Sequence, residues 1–257
     1  MSVNIDLSGK SAIVFGVANH RSIAWAIAAR LNEAGAAVTV TYQNERMGRT
    51  VLPLVESLNG AQALECDAMD EASIASVVSS AVSNGPLVAA IHSIAFANKD
   101  DLEGEFSATG LQGFRTALEV SAYTLIPIAR NCAPHMAPGG SIVTLTFHAS
   151  DKVYRGYNIM GVAKAALENE VKQLAAEFGH QGVRVNAISA GPLNTLAARG
   201  ISGFTSMHEV HAQRSPLGRN ITQDEVADAA AFMVSPLASG VTGHVLYVDA
   251  GYNIMGV

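Results

Sequence analysis

The sequence predicts an α/β fold, a single domain built on a doubly wound parallel sheet with helices on both faces. Short β-branched runs alternate with longer stretches of helical periodicity from one end of the chain to the other. Most of the short runs are continuously apolar, which is typical of strands buried on both faces of a parallel sheet. No linker, repeat or charge block divides the chain, so residues 1–257 are expected to form one unit.

The short apolar runs give the expected strands, at residues 11–15, 37–42, 62–66, 87–94, 141–147, 183–189 and 244–249. The first helix is expected to follow Ser22 and to end at Gly35, a residue that suits the position after a helix. Its apolar stripe consists of Ile23, Ile27, Leu31 and Ala34. Further helical patterns lie near residues 70–83, 110–132, 157–179 and 223–234. The crossovers between the parallel strands are expected to be right-handed.

Composition and charge exclude several classes of function. A net charge of −6 and a pI near 5.7 argue against a general nucleic-acid binder or a binder of anionic membranes. No apolar run reaches the ~18 residues of a membrane-spanning helix. The first ten residues carry no secretory signal pattern, so a cytoplasmic protein is expected. Cys66 and Cys132 have no metal-site spacing and are expected to be buried thiols, and no metal site is expected.

The turn after the first strand is a candidate nucleotide site. In such sheets the pyrophosphate of a dinucleotide lies there, against the free N–H groups of the following helix. Gly16 allows a sharp exit from the strand, and Ser22 could cap the helix or donate its hydroxyl to a phosphate. Only the first glycine of the G-x-G-x-x-G pattern is present, so an ordinary strand–turn–helix remains an alternative.

The ends of the second and third strands offer further nucleotide contacts. Gln43 could hydrogen-bond the adenosine ribose, although a solvated loop amide is the simpler interpretation. Glu45 would disfavour a 2′-phosphate and Arg46 would favour one, so the residues alone leave both NADH and NADPH open. Asp67 could lie near the adenine amine, or it could serve as a helix cap.

Two tyrosines precede one lysine in the stretch "FHASDKVYRGYNIMGVAK", from Phe147 to Lys164. Residues 157–178 have helical spacing, and positions seven apart return to nearly the same helix face. Lys164 is therefore expected to reach back toward Tyr157, while Tyr154 lies ahead of the helix, at the pocket edge. An ammonium should lower the pKa of a nearby phenol and make the pair a proton donor and oxyanion clamp. An accidental pair on a partly exposed helix is the alternative.

Several blocks together resemble the divergent branch of the short-chain dehydrogenase/reductase superfamily, the bacterial NADH-dependent enoyl-[acyl-carrier-protein] reductases. They are "LSGKSAIVFGVANHRSIAWAIA", "VTVTYQNER", "HSIAFA", "YNIMGVAKAALE", "GVRVNAISAGPLNTLAARGI" and "GHVLYVDAGYNIMG", and they span nearly the whole chain in the family's order. Six residues separate Tyr157 from Lys164, as in this branch, whereas the ordinary branch has three between them. The resemblance implies a seven-stranded Rossmann-type sheet and a cytoplasmic homotetramer.

The resemblance also implies a reaction, the last reductive step of fatty-acid elongation. Hydride passes from NADH, in preference to NADPH, to the β-carbon of a trans-2-enoyl thioester on acyl carrier protein. Tyr157 would hydrogen-bond the enolate oxygen and supply the proton, directly or through the enol, and Lys164 would hold the nicotinamide ribose. The residues implied to line the cofactor are Gly16, Ser22, Ile23, Gln43, Asp67, Ala68, Ile94, Lys164, Leu193, Asn194, Thr195, Leu196 and Ala197. The residues expected at the substrate are Ala97, Phe147, Tyr157, Met160, Phe204 and Met207.

The segment of about residues 192–215 has Gly-Pro punctuation followed by an apolar, helix-like stretch. Leu193, Leu196, Ile201, Phe204 and Met207 would cover the acyl chain and exclude water, unless the segment is only a helix packed on the core. Phe147 departs from the tyrosine that many relatives carry at the end of the fifth strand, and it is expected to pack beside the nicotinamide and the acyl chain. His148, on the opposite side of the strand, is not expected to be catalytic.

Two other functions compete with this interpretation. The first is another short-chain carbonyl or 3-oxoacyl oxidoreductase that uses the same tyrosine and lysine. The second is an NAD-binding regulator without turnover. The spacing of Tyr157 and Lys164 argues against the first, and the presence of both residues argues against the second.

Overall fold

The computed structural model describes residues 4–195, 198 and 203–256 of the chain. They form one parallel seven-stranded sheet, as expected, and its strand order is β3-β2-β1-β4-β5-β6-β7. The strands are β1 (Ser11–Phe15), β2 (Ala37–Tyr42), β3 (Gln62–Glu65), β4 (Leu87–His92), β5 (Met136–Thr146), β6 (Arg184–Ala190) and β7 (Val245–Val248). All seven predicted strands are confirmed, with small shifts at their ends.

Helices connect the strands on both faces of the sheet. They are α1 (Ile23–Glu33), α2 (Glu45–Val55), α3 (Glu71–Val82), α4 (Lys99–Leu102), α5 (Leu111–Leu118), α6 (Leu125–Cys132), α7 (Asn158–Phe178), α8 (Phe204–Arg214) and α9 (Gln223–Val234). Two apolar clusters divide between the faces. One contains buried side chains of α1, α2 and α9, and the other contains those of α3, α6 and α7. The sheet is therefore covered on both sides, as a doubly wound fold requires.

Helices α1 and α7 confirm the periodicity seen in the sequence. Ile27 and Leu31 of α1 are fully buried, and Gly35 follows the helix with a φ of 95°. In α7 the expected stripe is buried throughout, at Met160, Ala163, Leu167, Val171, Leu174 and Phe178. These two helices carry the segments on which the nucleotide turn and the tyrosine–lysine pair depend.

The helix expected over residues 110–132 is wrong as a single element. Residues Glu119–Tyr123 form a π-helical turn between α5 and α6. The widened turn places Ser121 beside Phe96, whose N–H donates to the serine hydroxyl at 2.9 Å, and Thr124 beside the His92 ring at 2.9 Å. Such turns are frequent at functional sites, and this one packs against the carboxyl end of β4.

Helix α2 was not anticipated from the sequence. Asn44 caps it by accepting a hydrogen bond from the N–H of Met47 at 3.1 Å, and Val51 and Val55 are buried. The cap and the spacing of four between Met47, Val51 and Val55 were readable signals. Among the described residues, no helix is both long and apolar enough to cross a membrane.

Candidate active site

The nucleotide turn lies where the strand order reverses, between β1 and β4. Gly16 follows β1 with a φ of 91°, and a side chain there would overlap the main-chain oxygen of Ser93, just beyond β4. Ile94 lies against the same position, partly buried. Glycine is thus required twice, by its backbone conformation and by the close approach of the neighbouring chain. Ligands of open α/β sheets bind in the crevice at this reversal.

Ser22 occupies the position before α1, as predicted, but its hydroxyl does not cap the helix. It donates to the main-chain oxygen of Asn19 at 2.6 Å, so the first turn of α1 has no side-chain cap. Ile23, the first residue of the helix, is partly buried beside this turn. The N–H groups of this turn can therefore receive an anion, and the donor set fits a pyrophosphate.

Gln43 and Asp67 both follow strand ends on the same edge of the sheet, and both are exposed. Asp67 caps a local turn, where its carboxylate accepts from the N–H of Met69 at 3.0 Å, and Asp70 instead caps α3. Ala68, which follows Asp67 in the sequence, is buried. The structure brings the predicted adenosine side of the site to one edge of the sheet.

The segment after β6 is only partly described. Leu193 is buried in the core cluster that includes Ala190 and Ile221, whereas Asn194 is exposed and Thr195 partly buried. The Thr195 hydroxyl accepts from the N–H of Ala198 at 3.2 Å. Leu196, Ala197 and Ile201 lie outside the described residues. Leu193 thus belongs to the core as well as to the predicted cofactor segment.

Two consecutive residues near the end of β5 form hydrogen bonds with side chains in the first half of α7. Lys164 Nζ donates to the main-chain oxygen of Leu145 at 2.8 Å. One residue on, the Thr146 hydroxyl donates to the Glu168 carboxylate at 2.7 Å. Tyr157 immediately precedes α7, seven positions before Lys164, and no hydrogen bond joins the two side chains, so the expected approach of Lys164 to Tyr157 stays a prediction.

Electrostatics at this pair differ from the expectation. Burial raises the pKa of Tyr157 above its usual range, so the prediction of a lowered value is wrong. Burial also lowers the pKa of Lys164 to about 8, against an opposing attraction to Glu168. The lysine is bonded to Leu145 rather than to the Tyr157 hydroxyl, which is why the phenol gains no compensating charge. Tyr157 is therefore a neutral phenol at physiological pH.

Phe147 is buried against Tyr157, with ring centroids 5.2 Å apart in an edge-on arrangement. Its expected place beside the nicotinamide and the acyl chain stays a prediction. Strand β5 ends one residue earlier, and His148 starts a 3-10 turn. The expected opposite facing of Phe147 and His148 is therefore wrong, because both contact Tyr154.

Asn158 follows Tyr157 directly and has a φ of 28°, which asparagine tolerates better than most residues. Its amide donates to the main-chain oxygens of Glu103 at 3.3 Å and Gly104 at 3.2 Å. These bonds hold the start of α7 against the loop that follows α4. The sequence analysis gave Asn158 no role, although it is the second residue of the "YNIMGVAK" block.

A cleft of about 1460 Å³ opens between the loop after α4, the loop before α7 and helix α8, and Tyr157 is not among the residues that line it. Its walls include Gly156 and Asn158 on either side of that tyrosine, Met207 of α8 and Phe106 after α4. Among the other predicted substrate residues, Met160 is buried with Ala97 packed against its cluster, and Phe204 is partly buried on α8. Within the described part of the chain, no group of three His, Cys, Asp or Glu side chains could hold a metal ion.

Comparisons with known proteins agree with this arrangement. A sequence model described as "Enoyl-(Acyl carrier protein) reductase" matches residues 16–253. The NADH enoyl-[acyl-carrier-protein] reductase FabI of a Nostoc species is 47% identical, with 98% of this chain and 100% of the relative covered. The corresponding protein of Bacillus cereus is 46% identical, with 97% and 99% covered.

Two solved structures of such enzymes have nearly the same fold. The B. cereus enzyme, solved with NADP⁺ and an indole naphthyridinone, has a TM-score of 0.95 at 45% identity, with 99% of this chain and 100% of that chain covered. The Anaplasma phagocytophilum enzyme, solved with NAD, has a TM-score of 0.93 at 41% identity, with 100% and 98% covered. Since the family model and the relatives span nearly the whole chain, this protein belongs to the enoyl-[acyl-carrier-protein] reductase family.

Proposed function

We propose that this protein reduces trans-2-enoyl thioesters with NADH, at the site formed by Tyr157, Lys164 and the nucleotide turn. The observation that carries the proposal is that a partly buried neutral phenol, a buried lysine and an apolar wall all lie near the carboxyl end of β5. The phenol can donate a proton, and the wall suits an acyl chain. The NADH-dependent relatives support the choice of cofactor.

NADH supplies the hydride that reaches the β-carbon of the substrate. The uncapped first turn of α1 would receive its pyrophosphate, with Gly16 permitting the close approach. Gln43 would hydrogen-bond the adenosine ribose. NADH has no 2′-phosphate, so no arginine is required there. The remaining proposed contacts are Ser22, Ile23, Asp67, Ala68, Ile94, Leu193, Asn194, Thr195, Leu196 and Ala197.

Tyr157 would act on the thioester oxygen, where negative charge develops during reduction. Because burial raises its pKa, the phenol keeps its proton at neutral pH and can donate a hydrogen bond to that oxygen. The proton then moves to the substrate, directly or through the enol. Lys164 uses one donor on Leu145, and an ammonium has two more with which to hold the nicotinamide ribose.

The acyl chain would lie between Phe147, Met160 and the segment of residues 192–215. Met207 lines the cleft, and Phe204 lies one turn earlier on α8. Ala97 packs against the cluster that contains Met160 and would line the same part of the wall. Closure of this segment over the chain would exclude water from the reacting carbons.

We further propose a cytoplasmic homotetramer that receives its substrate from acyl carrier protein. Cys66 and Cys132 are both free and buried, which suits a reducing compartment. Exposed apolar side chains on α5 and the adjoining turn, Leu111, Phe114 and Tyr123, offer surface for subunit contacts.

One assay separates this activity from its competitors. The protein is mixed with NADH and a crotonyl or 2-octenoyl thioester, and NADH absorbance is followed. Consumption with the enoyl thioester but not with a 3-oxoacyl thioester supports the reductase. Consumption with the 3-oxoacyl thioester alone would point to a carbonyl reductase, and consumption with neither would point to a regulator.

Replacing Tyr157 with phenylalanine tests the assigned acid. Tyr157→Phe should lower kcat by about 100-fold or more, since a positioned general acid contributes at least that much. The dissociation constant for NADH, measured by fluorescence titration, should stay unchanged. Wild-type turnover in the variant would refute the assignment.

A further inference from the structure

Helix α8 is attached to the rest of the molecule by a histidine rather than by an apolar stripe. Of its eleven residues, His211 is the one that is fully buried, at 3% exposure. Surface helices of globular proteins ordinarily bury a continuous apolar face. Polar contacts therefore contribute to the position of α8: those of His211, and those of His208, whose main-chain oxygen accepts from the Asn220 amide at 3.0 Å. A hydrogen bond is more sensitive to geometry than an apolar contact.

His211 belongs to a cluster of four aromatic side chains from four separate segments. Tyr154 Oη lies 3.3 Å from His211 Nε2 and 3.2 Å from His148 Nδ1. The His211 ring stacks on Tyr252, with centroids 3.6 Å apart and planes 15° apart. The cluster thus joins α8 to the turn after β5, the loop before α7 and the turn after β7.

The hydrogen bond to Tyr154 is the single polar contact of the His211 ring within the described residues. The other ring nitrogen, Nδ1, is buried without a partner in that part of the chain. Burial, together with His148 and His208, lowers the pKa of His211 to about 4, so the ring is neutral. When Nε2 carries the proton, it donates to the Tyr154 hydroxyl. When Nδ1 carries the proton, Nε2 accepts from that hydroxyl.

The cluster is continuous with the proposed substrate wall. The Phe147 ring lies 4.7 Å from the Tyr154 ring and 6.5 Å from the His211 ring, between centroids, while its other contact is Tyr157. Met207 lies four residues before His211 on α8, on the same helix face, and lines the cleft. A shift of His211 would therefore displace Met207 and change the packing around the Phe147 ring.

We propose that Tyr154 and His211 are positioning residues that anchor α8 over the acyl-chain side of the site and so set its chain-length preference. This inference rests on the proposed placement of the acyl chain between Phe147 and Met207. Neither residue donates the proton. They act through Met207 and Phe147, and the anchor should influence substrate binding more than the chemical step.

Steady-state kinetics provide the first test. Tyr154→Phe removes one hydroxyl and keeps the ring that packs on Phe147, and His211→Phe keeps a ring to stack on Tyr252. Each should raise KM for a 2-dodecenoyl thioester ~2–10-fold, the range of one lost neutral hydrogen bond. The double variant should be no worse than either single one, because both remove the same contact. The kcat and the NADH dissociation constant should hold, and KM for crotonyl thioester should change least.

Amide hydrogen exchange of α8 provides a test that is independent of activity. Tyr154→Phe should speed exchange over residues 204–214 and leave α7 unchanged. The matched control is His148→Phe, which removes the other partner of the Tyr154 hydroxyl but leaves the bond to His211, so α8 should exchange as in the wild type.

The proposal is overturned if Tyr154→Phe leaves both the exchange of α8 and the KM for long chains unchanged. It is also overturned if His148→Phe reproduces both effects, because the whole cluster rather than the Tyr154–His211 bond would then hold the helix. If the wild-type protein reduces no enoyl thioester, the proposed function fails, while the exchange comparison still decides whether the anchor exists.

Discussion

Phe147 places an aromatic ring without a hydroxyl group beside Tyr157. The ring is 8% exposed and touches both Tyr154 and Tyr157. Since phenylalanine can neither donate nor accept a proton, the phenol of Tyr157 is left as the donor on this side of the site. The sequence predicted a place for Phe147 beside the nicotinamide and the acyl chain, whereas its contacts with Tyr154 and Tyr157 come from the structure.

The substitution Phe147→Tyr should leave the enzyme active and shift its preference among chain lengths. The added hydroxyl would make the wall more polar, and it would cost ~1–3 kcal/mol if buried without a partner. Comparing kcat/KM for crotonyl, octenoyl and dodecenoyl thioesters measures the shift, with Phe147→Leu as a control that alters shape without polarity. Complete loss of turnover in Phe147→Tyr would contradict the assigned role.

The pKa of Lys164, lowered from its ordinary 10.5 to about 8 by burial, predicts two opposite pH dependences. Between those two values the unfolded chain holds a proton that the folded chain has lost, so this residue makes stability rise with pH there. NADH binding should instead weaken as pH rises through about 8, because the ammonium is lost.

Fluorescence titrations of NADH from pH 6.5 to 9.5, conditions chosen to bracket ~8, would measure the second effect. Lys164→Arg retains its charge throughout this range and should flatten the dependence. Binding that is equally tight across the range in the wild type would contradict a role for the ammonium.

At the scale of elements, the predictions succeeded where apolar periodicity alone decides the structure. The strands and α7 follow directly from that pattern. The interrupted helix over residues 110–132 follows instead from tertiary hydrogen bonds of Ser121 and Thr124, which local spacing does not reveal. Likewise, Ser22 had two possible roles, to cap α1 or to donate to a phosphate, and in the structure its hydroxyl donates instead to the main-chain oxygen of Asn19.

The close approach of Gly16, after β1, to Ser93, after β4, gives a prediction at the scale of elements. Gly16→Ala should lower the free energy of unfolding by more than the ~1–2 kcal/mol expected for a positive φ alone, because the methyl group would overlap Ser93. NADH affinity should fall as well, since the turn must move.

Gly60→Ala is the matched control for this change. Gly60 has a φ of 64° and no neighbouring atom within 4 Å of an added methyl group, so it reports the backbone strain alone. Urea denaturation of both variants gives the difference. Equal destabilisation would show that the approach of Ser93 to Gly16 does not matter.

At the scale of the whole molecule, the sequence predicted one parallel seven-stranded sheet, and the structure agrees. The side chains at the site were harder to predict. His211 lies 57 residues beyond Tyr154, and no motif links it to Tyr154 or His148, so their cluster could be found only from the folded chain.

The proposed tetramer predicts a solution mass near four times the 26.7 kDa of one chain. Light scattering coupled to size-exclusion chromatography would measure it. Phe114→Glu, on the exposed apolar surface of α5, should lower the mass, whereas Thr205→Glu, on exposed α8, should not. A wild-type protein that elutes as a monomer would contradict the proposal.

The two halves of the site also differ in how they assemble during folding. Lys164 of α7 is hydrogen-bonded to Leu145 of β5, 19 residues away in the sequence. Ser11 of β1 is hydrogen-bonded to Gly85, just before β4, which is 74 residues away. Closing the shorter loop costs less chain entropy, and local contacts form faster. Pulse-labelled amide exchange during refolding should therefore protect the β5–α7 pair before the β1–β4 pair, so the proton donor would be in place before the cofactor can bind.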